Sequence, residues 1–146
     1  MISKNTLTAI LGTLLGKTTL SFTNNVYMAL STADPTVDGS GVSEPSGNGY
    51  ARKIVTTGYG ANNNSHAFGS VTYDDATDTV SISNLYEIQF PKATGSWGTI
   101  THFALYNAST GGTMIAYGSL TNSISPVTDS VAIIEVGNAV LSIQQQ

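Results

Sequence analysis

Beyond residue 17 no apolar run outlasts a short strand before Gly, Asn, Asp, Ser or Pro interrupts it. The runs are "TTLSF" (18–22), "NVYMALS" (25–31), "ARKIVTT" (51–57), "SVTYD" (70–74) and "DTVSISN" (78–84), then "LYEIQF" (85–90), "GTITHFALYN" (98–107), "GTMIAYGSL" (112–120), "SVAIIEVG" (130–137) and "AVLSIQ" (139–144). Runs of this length, punctuated by turn residues, predict about nine short strands and an all-β fold, a β-sandwich or jelly roll. Asp75-Ala76-Thr77 and Ala108-Ser109-Thr110-Gly111 are read as hairpin turns. Gly137-Asn138, a two-residue hairpin signal, is read as joining the last two strands. Two stretches resist strand patterning: the polar span 32–49 and "GYGANNNSHAFGS" (58–70).

Several strands do not alternate cleanly. In "ITHFALY" Phe103 and Leu105 form one apolar face, while His102, Ala104 and Tyr106 line the other. "VAIIEV" is apolar on both faces apart from Glu135. A strand apolar on both sides is covered on both sides. The expected covers are the N-terminal helix on one side and a neighbouring subunit on the other, with Val131 and Ile133 as assembly contacts.

The helix is read from Leu7, Ile10, Leu11, Leu14 and Leu15, spaced i, i+3, i+4, i+7 and i+8. That is the stripe of an amphipathic helix. Ser3 or Asn5 can cap its start and Gly16 its end. A short signal peptide is the alternative, but no small-x-small cleavage site follows and Lys17 ends the apolar run. The run is too short to span a bilayer. The helical reading expects the stripe to be buried, or used for assembly. Residues 1–17 then form a helix packing on or attaching the domain, and residues 18–146 a single β-sandwich domain, consistent with a 146-residue chain.

Only 10% of the residues are charged, and the net charge is −4. Nucleic-acid binding needs a basic footprint that this chain lacks. Charged residues are depleted at interface cores, so low charge points to a subunit within an assembly. There is no Cys, hence no disulfide and no thiolate metal site.

No catalytic constellation is visible. There are two histidines, His66 in a polar loop and His102 within a strand. His102 is expected to hydrogen-bond across the sheet. No nucleophile elbow, zinc helix or phosphate loop occurs. "DPTVDGSGVSEP" places Asp34, Thr36, Asp38 and Gly39 as in a calcium loop, but Pro45 stands where the bidentate Glu belongs. Successive turns at Asp34-Pro35, Asp38-Gly39 and Glu44-Pro45 are the preferred reading. Neither a metal nor a cofactor is expected. Trp97, the only Trp, sits in "ATGSWGT". It is read as a lid on the core, with a sugar-stacking platform as the alternative.

"YMALSTADPT" (27–36), "EPSGNGYAR" (44–52) and "FPKATGSWGTITHFALYNASTGGTMIAYGSL" (90–120), in that order, resemble a family of small structural proteins of tailed bacteriophages. Its members are labelled tail-fibre-like or virion structural proteins. The resemblance spans residues 25–125. It implies a non-enzymatic virion component in a tail fibre, a baseplate or the capsid surface, with other virion proteins as partners. A homo-oligomer is expected, and the common symmetry of phage appendages favours a trimer. The alternative is a module that binds host surface glycan through Tyr59, His66, Trp97 and the "GANNNSH" loop. The span 32–49 is then an ordered arm folded over the protein's own sheet or a neighbour's. Arg52 pins its far end by pairing with Asp34, Asp38 or Glu44.

Overall fold

A computed structural model describes residues 1–19, 25–59 and 66–144. One helix, α1 (Lys4–Leu14), precedes nine strands: β1 (Tyr27–Ser31), β2 (Lys53–Ile54), β3 (Thr72–Asp74), β4 (Thr79–Ser83), β5 (Ile88–Lys92), β6 (Ile100–Tyr106), β7 (Met114–Ile124), β8 (Val131–Ile134) and β9 (Val140–Gln144). The strands form three antiparallel sheets, ordered β2-β1-β6-β7, β3-β4-β9 and β5-β8. The fold is all-β with one short N-terminal helix, as the turn spacing predicts.

Period-two alternation splits the four-stranded sheet between two hydrophobic clusters. Met28 and Leu30 of β1 and Phe103 and Leu105 of β6 face the main core. There they join Ile88 and Phe90 of β5 and Ala132 and Ile134 of β8. Ala29, Ala104, Tyr106, Met114 and Tyr117 face the other way and form a second cluster. Ala29 and Ala104 are directly opposed across the β1–β6 ladder, and both are fully buried. The arm 32–49 packs on this face, with Val42 against the cluster and Gly39 beside Met114. The second cover is therefore the arm over its own sheet, as one of the expected arrangements has it, and not the helix or a neighbouring subunit.

Local turn chemistry is mostly as anticipated. Asp74 closes the β3–β4 hairpin by accepting from the Ala76 N–H at 2.9 Å and the Thr77 hydroxyl at 3.0 Å. β6 and β7 pair through the 108–111 turn. β5 runs on through Pro91, because a register shift between Gln89 and Lys92 removes the need for a ladder N–H there. "ARKIVTT" contributes only the two-residue edge strand β2. Thr18 and Thr19 of "TTLSF" are not in a strand, and residues 20–22 lie outside the described residues.

The closing hairpin does not form. β8 pairs with β5 and β9 pairs with β4, so Gly137-Asn138 carries the chain from one sheet to another. Two buried asparagines make that corner. Asn84 donates to the carbonyls of Tyr86 (2.9 Å) and Glu135 (2.8 Å), and its Oδ1 accepts from the Ala139 N–H (2.9 Å). Asn138 holds Asn122 through both its backbone N–H and its carbonyl, at 2.6 and 3.1 Å. Those side chains satisfy the corner's backbone groups in the interior, where a hairpin would have satisfied them between its own strands.

Helix α1 begins and ends as its sequence specifies. Ser3 is the N-cap, accepting from Thr6 N–H at 3.3 Å, while Asn5 lies inside the helix. Gly16 follows the C-cap at φ +66°, a left-handed conformation that glycine adopts without strain. The chain before α1 lies along β7. Ile2 bridges Ala116, and Met1 and Tyr117 exchange backbone hydrogen bonds. Ser3 also donates its hydroxyl to the Met114 carbonyl at 2.7 Å, and the Lys4 N–H reaches the Val37 carbonyl at 2.9 Å. From that anchorage the helix leaves the domain, and none of its residues is buried. The expected burial of Leu7, Ile10, Leu11, Leu14 and Leu15 does not occur within the chain. All are exposed, Leu14 by 77%.

Candidate functional site

The arm is built from interlocked turns. Ser31, fully buried at the end of β1, accepts from the Ser43 N–H at 3.0 Å and donates to the Ala33 carbonyl at 2.7 Å. The Thr32 N–H reaches the Ser43 carbonyl at 3.0 Å, so the two ends of the arm's first half meet. Pro35 is buried and Val42 packs on the second cluster. Gly39, at φ +81°, lies so close to the sheet that a Cβ there would stand 3.5 Å from the Met114 methyl.

The two aspartates of the arm are occupied by the arm itself. Asp34 accepts from the Thr36 N–H at 2.9 Å. Asp38 Oδ1 accepts from the Ser40 N–H (3.0 Å), the Ser40 hydroxyl (2.7 Å) and the Thr36 hydroxyl (2.8 Å). The calcium-like spacing therefore folds as turns. Among the described residues no group of three His, Asp or Glu side chains is placed to hold a metal. The bonds from Ser40 and Thr36 pull the Asp38 carboxyl down to about 2. A depressed carboxylate stabilises the fold above its ordinary value near 4. Its contribution is lost as pH falls through about 2. An acid titration of the Asp38 carboxyl carbon by NMR is expected to show that low midpoint. A midpoint at the ordinary value would mean the turn is open.

The far end of the arm is pinned by Arg52. Its guanidinium meets Glu44 in a two-point contact, Nε to Oε1 and Nη2 to Oε2, both at 2.9 Å. Nη1 donates to the carbonyls of Ala108 (3.1 Å) and Gly111 (2.7 Å), on the β6–β7 turn. The group also stacks on the Tyr106 ring, 3.7 Å from its centroid. Of the expected partners, Glu44 is the one used, and Asp34 and Asp38 are not. Tyr50 completes the knot by donating to Glu44 Oε1 at 2.7 Å and accepting from the Leu30 N–H at 3.0 Å. Burial raises the Tyr50 phenol far above its ordinary value, which keeps it a proton donor. The Tyr106 contact and the two carbonyl acceptors have no signal in the sequence, because all three are remote along the chain.

Trp97 closes the main core. It is 4% exposed, and its ring meets Tyr50 edge-on at 5.1 Å. Its indole N–H donates to the Asn48 carbonyl at 2.8 Å, and its backbone N–H to the Pro126 carbonyl at 3.1 Å. Gly98, at φ +78°, supplies the sharp exit from the lid. The ring has no face left for a sugar, so the platform reading of Trp97 is corrected: the Asn48 end of the arm and the hydrophobic core enclose it. Tyr59 is likewise buried, with no partner for its hydroxyl among the described residues, and burial raises it to about 12. His66 is exposed. Residues 60–65 of the "GANNNSH" loop lie outside the described residues. His102 bonds its sequence neighbour, Nδ1 to the Thr101 hydroxyl at 2.8 Å, and not a residue across the sheet. The two residues directly opposite His102 in the sheet, Ser31 and Ser119, have short side chains.

What the surface offers is apolar. The α1 stripe is the most exposed apolar row, with Leu11 at 59% and Leu15 at 65%. On β8, Ala132 and Ile134 are buried while Val131 is exposed and Ile133 half-buried. Val131 and Ile133 therefore share a face that points away from the core. No helix among the described residues is long and apolar enough to cross a membrane. A family model described as podophage GP4 fiber I protein gp80 matches residues 1–142. No curated protein matches the chain.

Proposed function

The chain belongs to the podophage GP4 fiber I protein gp80 family and is a virion component, and from that premise we propose that it is a fibre subunit acting through packing against other chains, without chemistry of its own. The observation that carries this is the α1 stripe. An isolated helix of 11 residues is marginal in water, because most helical stability comes from packing an amphipathic face. This one shows its whole face to solvent and has a well-formed cap at each end. Such a helix is completed by a partner. Residues 1–17 are then the attachment element, and residues 18–146 the domain it links into the assembly. Val131 and Ile133 offer a second, smaller contact. A trimer is the proposed state, since appendages of this kind are built around threefold axes.

Light scattering on the purified protein tests the reading, and an oligomer at tens of micromolar is the expected result. Replacing Leu11 by Ala should leave the stability of the dissociated monomer unchanged, within the ~0.5 kcal/mol typical of surface substitutions. Replacing it by Asp should dissociate the oligomer. A monomeric wild type, or an oligomer indifferent to Leu11→Asp, would remove α1 from the assembly.

A further inference from the structure

We infer that the surface receiving α1 is the three-stranded sheet β3-β4-β9 of a second copy of the chain. The inference rests on the assembly reading above and names its partner. The sheet carries a second unpartnered apolar face. Tyr73, Val80 and Ile143 are aligned across its three strands by register. They are 56%, 36% and 46% exposed. The opposite face, one residue along, carries Thr72, Ser81 and Ser142 in the same register. This is the binary pattern of a sheet with one buried side. Leu141, two residues before Ile143, packs against the main core. The Tyr73 row therefore overhangs the core on the same face, with nothing packed against it among the described residues.

The two apolar faces fit one another. An 11-residue helix is about 16 Å long. A strand of five residues, the length of β4 and β9, is about 17 Å. A helix laid on a sheet is a standard layer pair. Within its own chain α1 lies against β7, not against this sheet. Charge complements the fit. Of the five basic residues, Arg52 and Lys92 are paired with Glu44 and Asp129. Lys53 lies over the Tyr59 ring. Lys4 and Lys17, at the two ends of the α1 stripe, have no ion pair among the described residues. The β3–β4 tip presents Asp74, Asp75 and Asp78, with no cation paired to them among the described residues. Lys17, at the free end of the helix, is the cation that meets Asp75. The contact joins two different patches, so it is either reciprocated in a closed twofold dimer or repeated head-to-tail in a ring or filament.

The absence of Cys makes the test clean. Leu11→Cys and Val80→Cys copies, each checked by its melting curve, are mixed and joined with a short bis-maleimide. Ile143→Cys replaces Val80→Cys if the latter fails to fold. A cross-linked dimer in the mixture, absent from either variant alone, is the expected result. Cross-linking of Leu11→Cys copies with one another would show helix on helix and overturn the inference while leaving the assembly reading intact. An oligomer that gives no cross-link would do the same. A monomer would overturn both. Lys17→Glu should weaken association about three- to ten-fold, the scale of an exposed ion pair replaced by repulsion. Adding Asp75→Lys should restore it, and failure to restore would overturn the pairing of those ends.

Discussion

Replacing Trp97 by Ala is expected to lower the stability of the chain by about 3–5 kcal/mol, the cost of deleting a buried large aromatic. Two losses add. The ring leaves a cavity beside Tyr50 and Phe90, which are themselves stacked at 6.5 Å. The Asn48 carbonyl loses the indole donor that reaches it at 2.8 Å, although it keeps the Thr94 N–H at 2.9 Å. Because Asn48 belongs to the arm, the same substitution should also loosen residues 44–49. Urea unfolding reads the first effect and limited proteolysis the second. Wild-type tryptophan emission should be blue-shifted and poorly quenched by iodide. An unchanged unfolding midpoint in Trp97→Ala would mean that the indole is not part of the core, and would restore it as a candidate sugar platform.

Removing the Glu44 carboxylate should come next in size. Arg52 has a side chain only 8% exposed and Glu44 one of 23%. Breaking a buried pair from one side costs about 3–5 kcal/mol. Partial exposure of Glu44 and the two carbonyls that still hold Nη1 reduce this to about 2–3 kcal/mol for Glu44→Ala. Arg52→Lys should also lose most of the pin, since an ammonium cannot hold both carboxylate oxygens, two carbonyls and the Tyr106 face together. Coupling is the sharper test. The double variant should cost clearly less than the sum of the single ones. Strict additivity would show that Arg52 and Glu44 stabilise the arm separately, against the geometry seen here.

The arm illustrates how far local reading reaches. Asp-Pro and Asp-Gly steps mark turns, and residues 34–42 form them, but the Glu44-Pro45 step makes no turn and the next one closes at Gly47–Tyr50. Their polar side chains bond within a few residues, so the information is local. The surface under the arm was not legible in the same way. Alternation in β6 shows that Ala104 and Tyr106 face one side. It says nothing about what covers that side: of the covers expected, the arm over its own sheet is the one used, and α1 is not. The choice of Glu44 over Asp34 and Asp38 was equally hidden. Those two each commit Oδ1 to local turns with Thr36 and Ser40, and Glu44 is the arm's carboxylate that meets Arg52.

What the amino-acid order determines by itself is local. The short alternating runs make strands, Ser3 and Gly16 delimit one helix, and the Asp74 turn closes a hairpin. Each of these is decided by dihedral preference and by hydrogen bonds between near neighbours. Tertiary structure decided the rest: β8 against β5 and β9 against β4 in place of a terminal hairpin, the arm as the second cover, and α1 left bare. Those outcomes depend on which remote groups satisfy buried polar atoms. Asn84 and Asn138 do so at the corner after β8, and the Met1–Ser3 segment does so along the edge of β7. Periodicity tells which face of an element is apolar. Only the packed chain shows whether that face is filled from within or left for a neighbour, because burial is a property of pairs of surfaces and not of one.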